Sequence, residues 1–259
     1  MSKKQSNATK QAASERAAER AAAFRAEQQS QERRKRVIIV SSVVIAVLIL
    51  VVAIVASVQA GRDTTGQVTT PPAGAVEEYG LAMGADDAKV VVTVYEDPMC
   101  PFCGLFEQAS SERLKEYADS GDVQVRYHMV SFLDDASTSN YSTRAANAVG
   151  VVLDTAGAEA AVKFHTAIFD NQPEEGSAGI SDAQLIEYAV EAGASEDEVK
   201  GPIEDLKFAQ WVENATGAWS KAGFTSTPTV TVDGEKVEFE TAAELLTKTE
   251  AAIDAALAT

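Results

Sequence analysis

The chain has 259 residues, a formal net charge of −17 and two cysteines, Cys100 and Cys103. Residues 1–36 hold ten Lys/Arg against four Asp/Glu, a net of +6, which leaves −23 for the remainder. A remainder that acidic argues against nucleic acid or an anionic membrane surface as partner, and two cysteines so close together exclude a framework of disulfide staples.

In chain order, residues 1–36 are rich in Ala, Arg, Glu and Gln, with Met1 and Phe24 the large apolar residues. That composition favours helix but offers no face to bury, so the segment reads as a solvated tail. Residues 37–60 form an uncharged run whose polar members are Ser41, Ser42, Ser57 and Gln59. A run of about 20 apolar residues crosses a bilayer, so one N-terminal transmembrane helix is expected here. The cluster Arg33-Arg34-Lys35-Arg36 precedes it, whereas Arg62 and Asp63 follow it. Positive charge stays on the cytoplasmic side, which gives a single-pass protein of the cell membrane with a cytoplasmic N-terminus and an extracytoplasmic domain. Val58-Gln59-Ala60 offers a cleavage site, but the run and the segment before it are long for a signal peptide. An uncleaved signal-anchor is the favoured reading. Residues 61–78, with the Pro71-Pro72 pair, read as a linker.

Residues 89–96 (KVVVTVYE) form a β-branched run suited to a buried strand. From Cys100 to Tyr117 apolar residues recur at helical spacing, and residues 123–130 alternate as a second strand. Strand, helix and strand in that order make a βαβ unit with a parallel pair. Helices are expected at 141–155 and 159–169. Ser181 with Gln184 and Ser195 with Glu198 are capping-box starts of two more, and another helix is expected over 203–221. Thr227-Pro228 leads into a strand at 229–232, and Asp233-Gly234 turns it into a returning strand at 236–239. Thr241 with Glu244 opens a last helix. The class is α/β, with a helical stretch set between two halves of one sheet.

The chemistry concentrates in Cys100-Pro101-Phe102-Cys103. At the start of a helix, free backbone N–H groups and the dipole stabilise a thiolate, lowering its pKa into the range of about 3.5–7.5. Cys103, one turn in, is placed to resolve a mixed disulfide. Pro101 suits a first turn, where its missing N–H is no loss. A structural zinc site needs four ligands, and His128 and His165 stand at no usual spacing, so no metal is expected. A four-residue loop gains only roughly 2 kcal/mol from a disulfide, a poor reason for a staple. A redox pair is the stronger reading.

The segments 90–103 (VVVTVYEDPMCPFC), 164–173 (FHTAIFDNQP) and 223–232 (GFTSTPTVTV) resemble the DsbA-like branch of the thioredoxin superfamily. The resemblance covers about 79–259 and implies a thioredoxin fold with an inserted helical domain at about 134–202. It implies that Pro228 is cis, that Thr227 offers backbone groups to an extended client peptide, and that Pro228 shields the sulfurs. Many relatives bury an acid six residues before the first Cys, where this chain has Val94; Glu96, on the same strand face, is the candidate substitute as proton relay. Phe102 stands where strong oxidants often place His and gives the thiolate no donor, so a potential between about −270 and −120 mV is expected. Met99 and Phe102 are expected to offer unfolded clients an apolar surface.

The function implied is oxidation of cysteine thiols in exported proteins by the Cys100–Cys103 disulfide, with no further cofactor. By the resemblance, a membrane quinone-linked thiol oxidase reoxidises the pair. A membrane-tethered reductase or isomerase uses the same atoms, and a non-catalytic chaperone-like module is a third reading.

Overall fold

The computed structural model describes residues 68–259; the expected tail, transmembrane helix and most of the linker lie outside the described residues. Among the described residues no helix is long and apolar enough to cross a membrane.

A five-stranded mixed sheet has the order β1-β3-β2-β4-β5. Its strands are β1 (Gly80–Met83), β2 (Val90–Glu96), β3 (Val123–Met129), β4 (Thr229–Val232) and β5 (Glu235–Lys236). The Val-rich β2 lies in the middle, parallel to β3 and antiparallel to β4, as a strand buried on both faces should. Val90, Val92, Val94 and Glu96 are all buried, so alternation along β2 carries a carboxylate into the interior. The six helices of this part are α1 (Pro101–Asp119), α2 (Tyr141–Asp170), α3 (Asp182–Glu191), α4 (Glu196–Glu204), α5 (Ala209–Lys221) and α6 (Ala242–Leu257). α1 packs on β3, α2 and α6, while α2 packs on β1 and gathers α3, α4 and α5.

Several expectations need correction. β1 went unread because Gly-Leu-Ala-Met has weak strand propensity; antiparallel pairing with β3 makes it a strand. The helices expected at 141–155 and 159–169 are both present as the two arms of α2, which breaks between them at Gly157 (φ 81°, ψ 177°). Ser181 and Gln184 form a true capping box, but Ser195 and Thr241 make no side-chain cap bond. At the last of these, Glu244 accepts from the Glu240 N–H instead. The helix expected from 203 begins at Ala209, because Leu206 takes a left-handed conformation (φ 53°) that interrupts the ladder. The returning strand is shorter than expected, ending at Lys236.

Candidate active site

β2 ends at Glu96, and the chain crosses Asp97-Pro98-Met99 to reach Cys100, the N-cap of α1. Pro101 occupies the first turn of α1, as expected. The Cys103 and Gly104 N–H groups donate to the Cys100 carbonyl at 3.0 and 3.2 Å, closing that turn. Both cysteines are free thiols. Cys103 is fully buried, and Cys100 is only 4 % exposed, more covered than an attacking thiol was expected to be. The cover comes from across the sheet, where Cys100 Sγ lies 3.4 Å from the Thr227 carbonyl oxygen. The Thr227–Pro228 peptide bond is cis, so the proline expected before β4 has the expected geometry.

The two sulfurs differ in electrostatics. A hydrogen bond from the Cys103 thiol to the Cys100 sulfur lowers the Cys100 pKa to about 6 against the opposing effect of burial. The Thr227 side chain adds to this, then the backbone N–H groups of Cys103 and Phe102. The Thr227 hydroxyl itself is buried without a hydrogen-bond partner, and the geometric contact to Cys100 is made by the Thr227 carbonyl. Burial first, then the bond to Cys100 and the charges of Cys100 and Glu96, push Cys103 well above the ordinary thiol value. One sulfur is thus ready to attack at neutral pH, and the other holds its proton.

Phe102 is 60 % exposed beside the pair, and Leu105 is exposed one turn further along. Met99 is fully buried, so it belongs to the core and adds nothing to the client-facing surface. A hollow of about 240 Å³ next to Cys100 is lined by Phe102, Phe106, Thr227, Pro228, Phe239 and Leu245, among others. Ser226 and Glu240 add polar groups to this otherwise largely apolar lining.

Glu96 is fully buried and hydrogen-bonded to His165 Nε2. Burial, then the Cys100 charge, raises its pKa well above the carboxylate range. The neutral acid is thereby favoured over the carboxylate, which suits a group that exchanges a proton with a buried thiol.

Four residues of the site were not identified from sequence. Asp97 is buried beneath the redox loop and accepts bonds from Met99 N–H (2.8 Å), Leu133 N–H (2.7 Å) and Ser142 Oγ–H (2.6 Å). Burial raises it to about 7, although those bonds favour the ionised form. Gln172, just beyond α2, donates from Nε2 to the Pro98 and Cys100 carbonyls at 3.0 and 2.9 Å. Gly104 makes room for it, since a Cβ there would stand 2.1 Å from Gln172 Oε1. Glu107 is buried one turn beyond Cys103, and burial raises it to about 8. His165 is buried on α2, and burial lowers its pKa. Two of these had a sequence signal. Position 107 falls on the buried stripe of Cys103, Ser110, Leu114 and Tyr117, and His165 lies among Ala161, Phe164 and Ile168.

A strand leading to a helix-capping Cys-x-x-Cys, opposed by a cis-proline at the start of an antiparallel strand, defines a thioredoxin-fold dithiol protein. A family model described as Thioredoxin matches residues 77–254. Two solved structures from Mycobacterium tuberculosis are each 34 % identical to this chain. The reduced disulfide bond oxidoreductase DsbG has a TM-score of 0.57, with 70 % of this chain and 93 % of that one covered. Reduced DsbA also has a TM-score of 0.57, with 69 % and 98 % covered. Among curated proteins, the serine/threonine-protein kinase PknE of M. tuberculosis is 34 % identical over 119 residues, 44 % of this chain and 21 % of the kinase. The chain thus spans about a fifth of that relative's length. The chain belongs to the thioredoxin family, in its DsbA-like thiol–disulfide oxidoreductase branch.

Proposed function

We propose that this chain is an extracytoplasmic thiol–disulfide oxidase, anchored by residues 37–60, that introduces disulfides into exported proteins through Cys100 and Cys103. The observation that carries this reading is the Cys100 thiol held near pKa 6 beside a fully buried, protonated Cys103. A stabilised thiolate stabilises the reduced form of the pair, which makes its disulfide the stronger oxidant. That favours oxidation of clients over their reduction or isomerisation. The client thiolate attacks Cys100, Cys103 leaves, and a second client thiol then displaces Cys100 as the client disulfide closes. Thr227 and Pro228 receive the client backbone, and Phe102 and the apolar hollow receive its side chains. Glu96 exchanges the proton with Cys103. A membrane quinone-linked thiol oxidase returns the pair to the disulfide.

The test is the redox state of the pair in growing cells, trapped with acid and a thiol alkylator. A predominantly oxidised pair, with exported proteins losing disulfides in Cys100→Ser, is the expected result. A predominantly reduced pair overturns the oxidase in favour of a reductase or isomerase. Unchanged client disulfides in Cys100→Ser favour a binding module.

A further inference from the structure

Behind the redox pair, buried titratable side chains from three elements stand in a line: Glu96 at the end of β2, His165 on α2 and Glu107 on α1. His165 Nε2 is hydrogen-bonded to Glu96, and His165 Nδ1 lies 3.9 Å from Glu107 Oε2. The remaining carboxylate oxygens, Glu96 Oε2 and Glu107 Oε1, are buried with no hydrogen-bond partner. Two ionised carboxylates cannot be held in a dry interior beside one imidazole without a large desolvation cost. The cluster must be neutralised by protons or by a cation. One ligand atom from each of Glu96, Glu107 and His165 lies within 4.8 Å of the others, so a divalent ion competes with protons as the neutralising charge. Glu96 meets Nε2 of the ring and Glu107 faces Nδ1. A proton can enter the ring at one nitrogen while another leaves from the far one.

We propose that His165 is a positioning and relay residue that conducts protons between Glu107 and Glu96, so that Glu96 can serve Cys103 in both directions of disulfide exchange. This deepens the oxidoreductase reading and rests on it. When a client thiolate attacks Cys100 Sγ, the S–S bond breaks and Cys103 leaves with the bonding electron pair. Glu96 gives it a proton, His165 Nε2–H restores the Glu96 proton, and Glu107 restores the His165 proton at Nδ1. When the pair reoxidises, Cys103 attacks a mixed disulfide at Cys100, a thiolate leaves, and the proton runs the other way.

The groups facing His165 are consistent with a line that carries protons. From β2 there is Glu96, from α1 Glu107 with Cys100 and Cys103 close by, and from β3 the Tyr127 ring at 4.2 Å. On α2 itself, exposed Asp170 acts electrostatically on Glu107 and marks the end of the line nearer to solvent. Among the described residues, the ion-pair partner of both glutamates is His165.

The test uses the full-length chain, comparing wild type with His165→Gln and Glu107→Gln. Each reduced protein is mixed with oxidised glutathione, quenched in acid at intervals, and weighed by mass spectrometry. This gives the rate at which Cys103 displaces glutathione from Cys100. Iodoacetamide alkylation of Cys100 is followed separately against pH. The expected result is a closing rate at pH 7 about tenfold lower in each variant, below the 10²–10⁴ of direct acid–base catalysis because Glu96 remains. The deficit should shrink above pH 9, while the Cys100 alkylation midpoint stays in place. Two variants on different elements keep the test alive if one fails to fold. Closing rates within twofold of wild type at every pH overturn the relay. So does a parallel fall in Cys100 alkylation, which indicates distortion of the loop, or a stoichiometric divalent ion lost on substitution. A wild-type chain that forms neither the glutathione adduct nor the Cys100–Cys103 disulfide overturns the oxidoreductase reading itself.

Discussion

The sulfur of Cys100 and the carbonyl oxygen of Thr227 meet at 3.4 Å across 127 residues of sequence. This contact places the reactive sulfur against the backbone that leads through cis-Pro228 into β4. Thr227 also helps to hold the Cys100 pKa near 6. Alkylation of Cys100 by iodoacetamide should therefore be half-maximal near pH 6 in wild type. Thr227→Val should raise that midpoint by ~0.5–1 unit, about 1 kcal/mol of lost thiolate stabilisation. The wild-type reduction potential against glutathione should fall between about −270 and −120 mV.

Gly104 and Gln172 form a second dependent pair. A methyl group at position 104 would stand 2.1 Å from Gln172 Oε1, so Gly104→Ala must displace the amide that bonds Pro98 and Cys100. Denaturant unfolding should show each of Gly104→Ala and Gln172→Ala destabilised by roughly 1–3 kcal/mol. The double variant should cost less than the sum of the two, because the clash disappears with the side chain.

Asp97→Asn should be costly despite its near-identical shape. The carboxylate accepts from Met99, Leu133 and Ser142 with both oxygens, whereas an amide keeps one acceptor oxygen and presents a second donor to donors. A loss of roughly 2–4 kcal/mol is expected, along with faster hydrogen exchange across residues 97–100 and 131–133.

Glu107 gives stability a pH dependence of known sign. Its folded pKa, near 8, lies above the unfolded value, so the folded state binds the extra proton between the two. That contribution is full below the unfolded pKa and is lost as pH rises through about 8. Thermal melts of wild type and Glu107→Gln should lie closest near pH 5, where the carboxyl is neutral like the amide, and diverge as pH rises through about 8, with the variant becoming the more stable. A change of about 4 kcal/mol in their difference is expected between about pH 5 and pH 8, at about 1.4 kcal/mol per unit. A constant difference across that range would exclude titration of Glu107 as the source.

By itself the sequence determined the features that arise locally. The Val-rich run of β2, the helix beginning at Cys100-Pro101, the Ser181 capping box and the Cys-x-x-Cys spacing all depend on neighbours within a turn or two. Local rules also placed Glu96 on the buried face of β2. Tertiary structure decided what surrounds those features. Met99 and Phe102 flank the first cysteine in sequence, yet packing buries one and exposes the other. Asp97 resembles a strand terminator until Ser142 and Leu133 arrive from elsewhere in the chain to bond it. Glu107 and His165 each fit an ordinary helix, and they meet each other and Glu96 only where α1, α2 and β2 bring them together out of water. Spacing along the chain specifies periodic burial, but a buried charge takes its meaning from partners that only folding supplies.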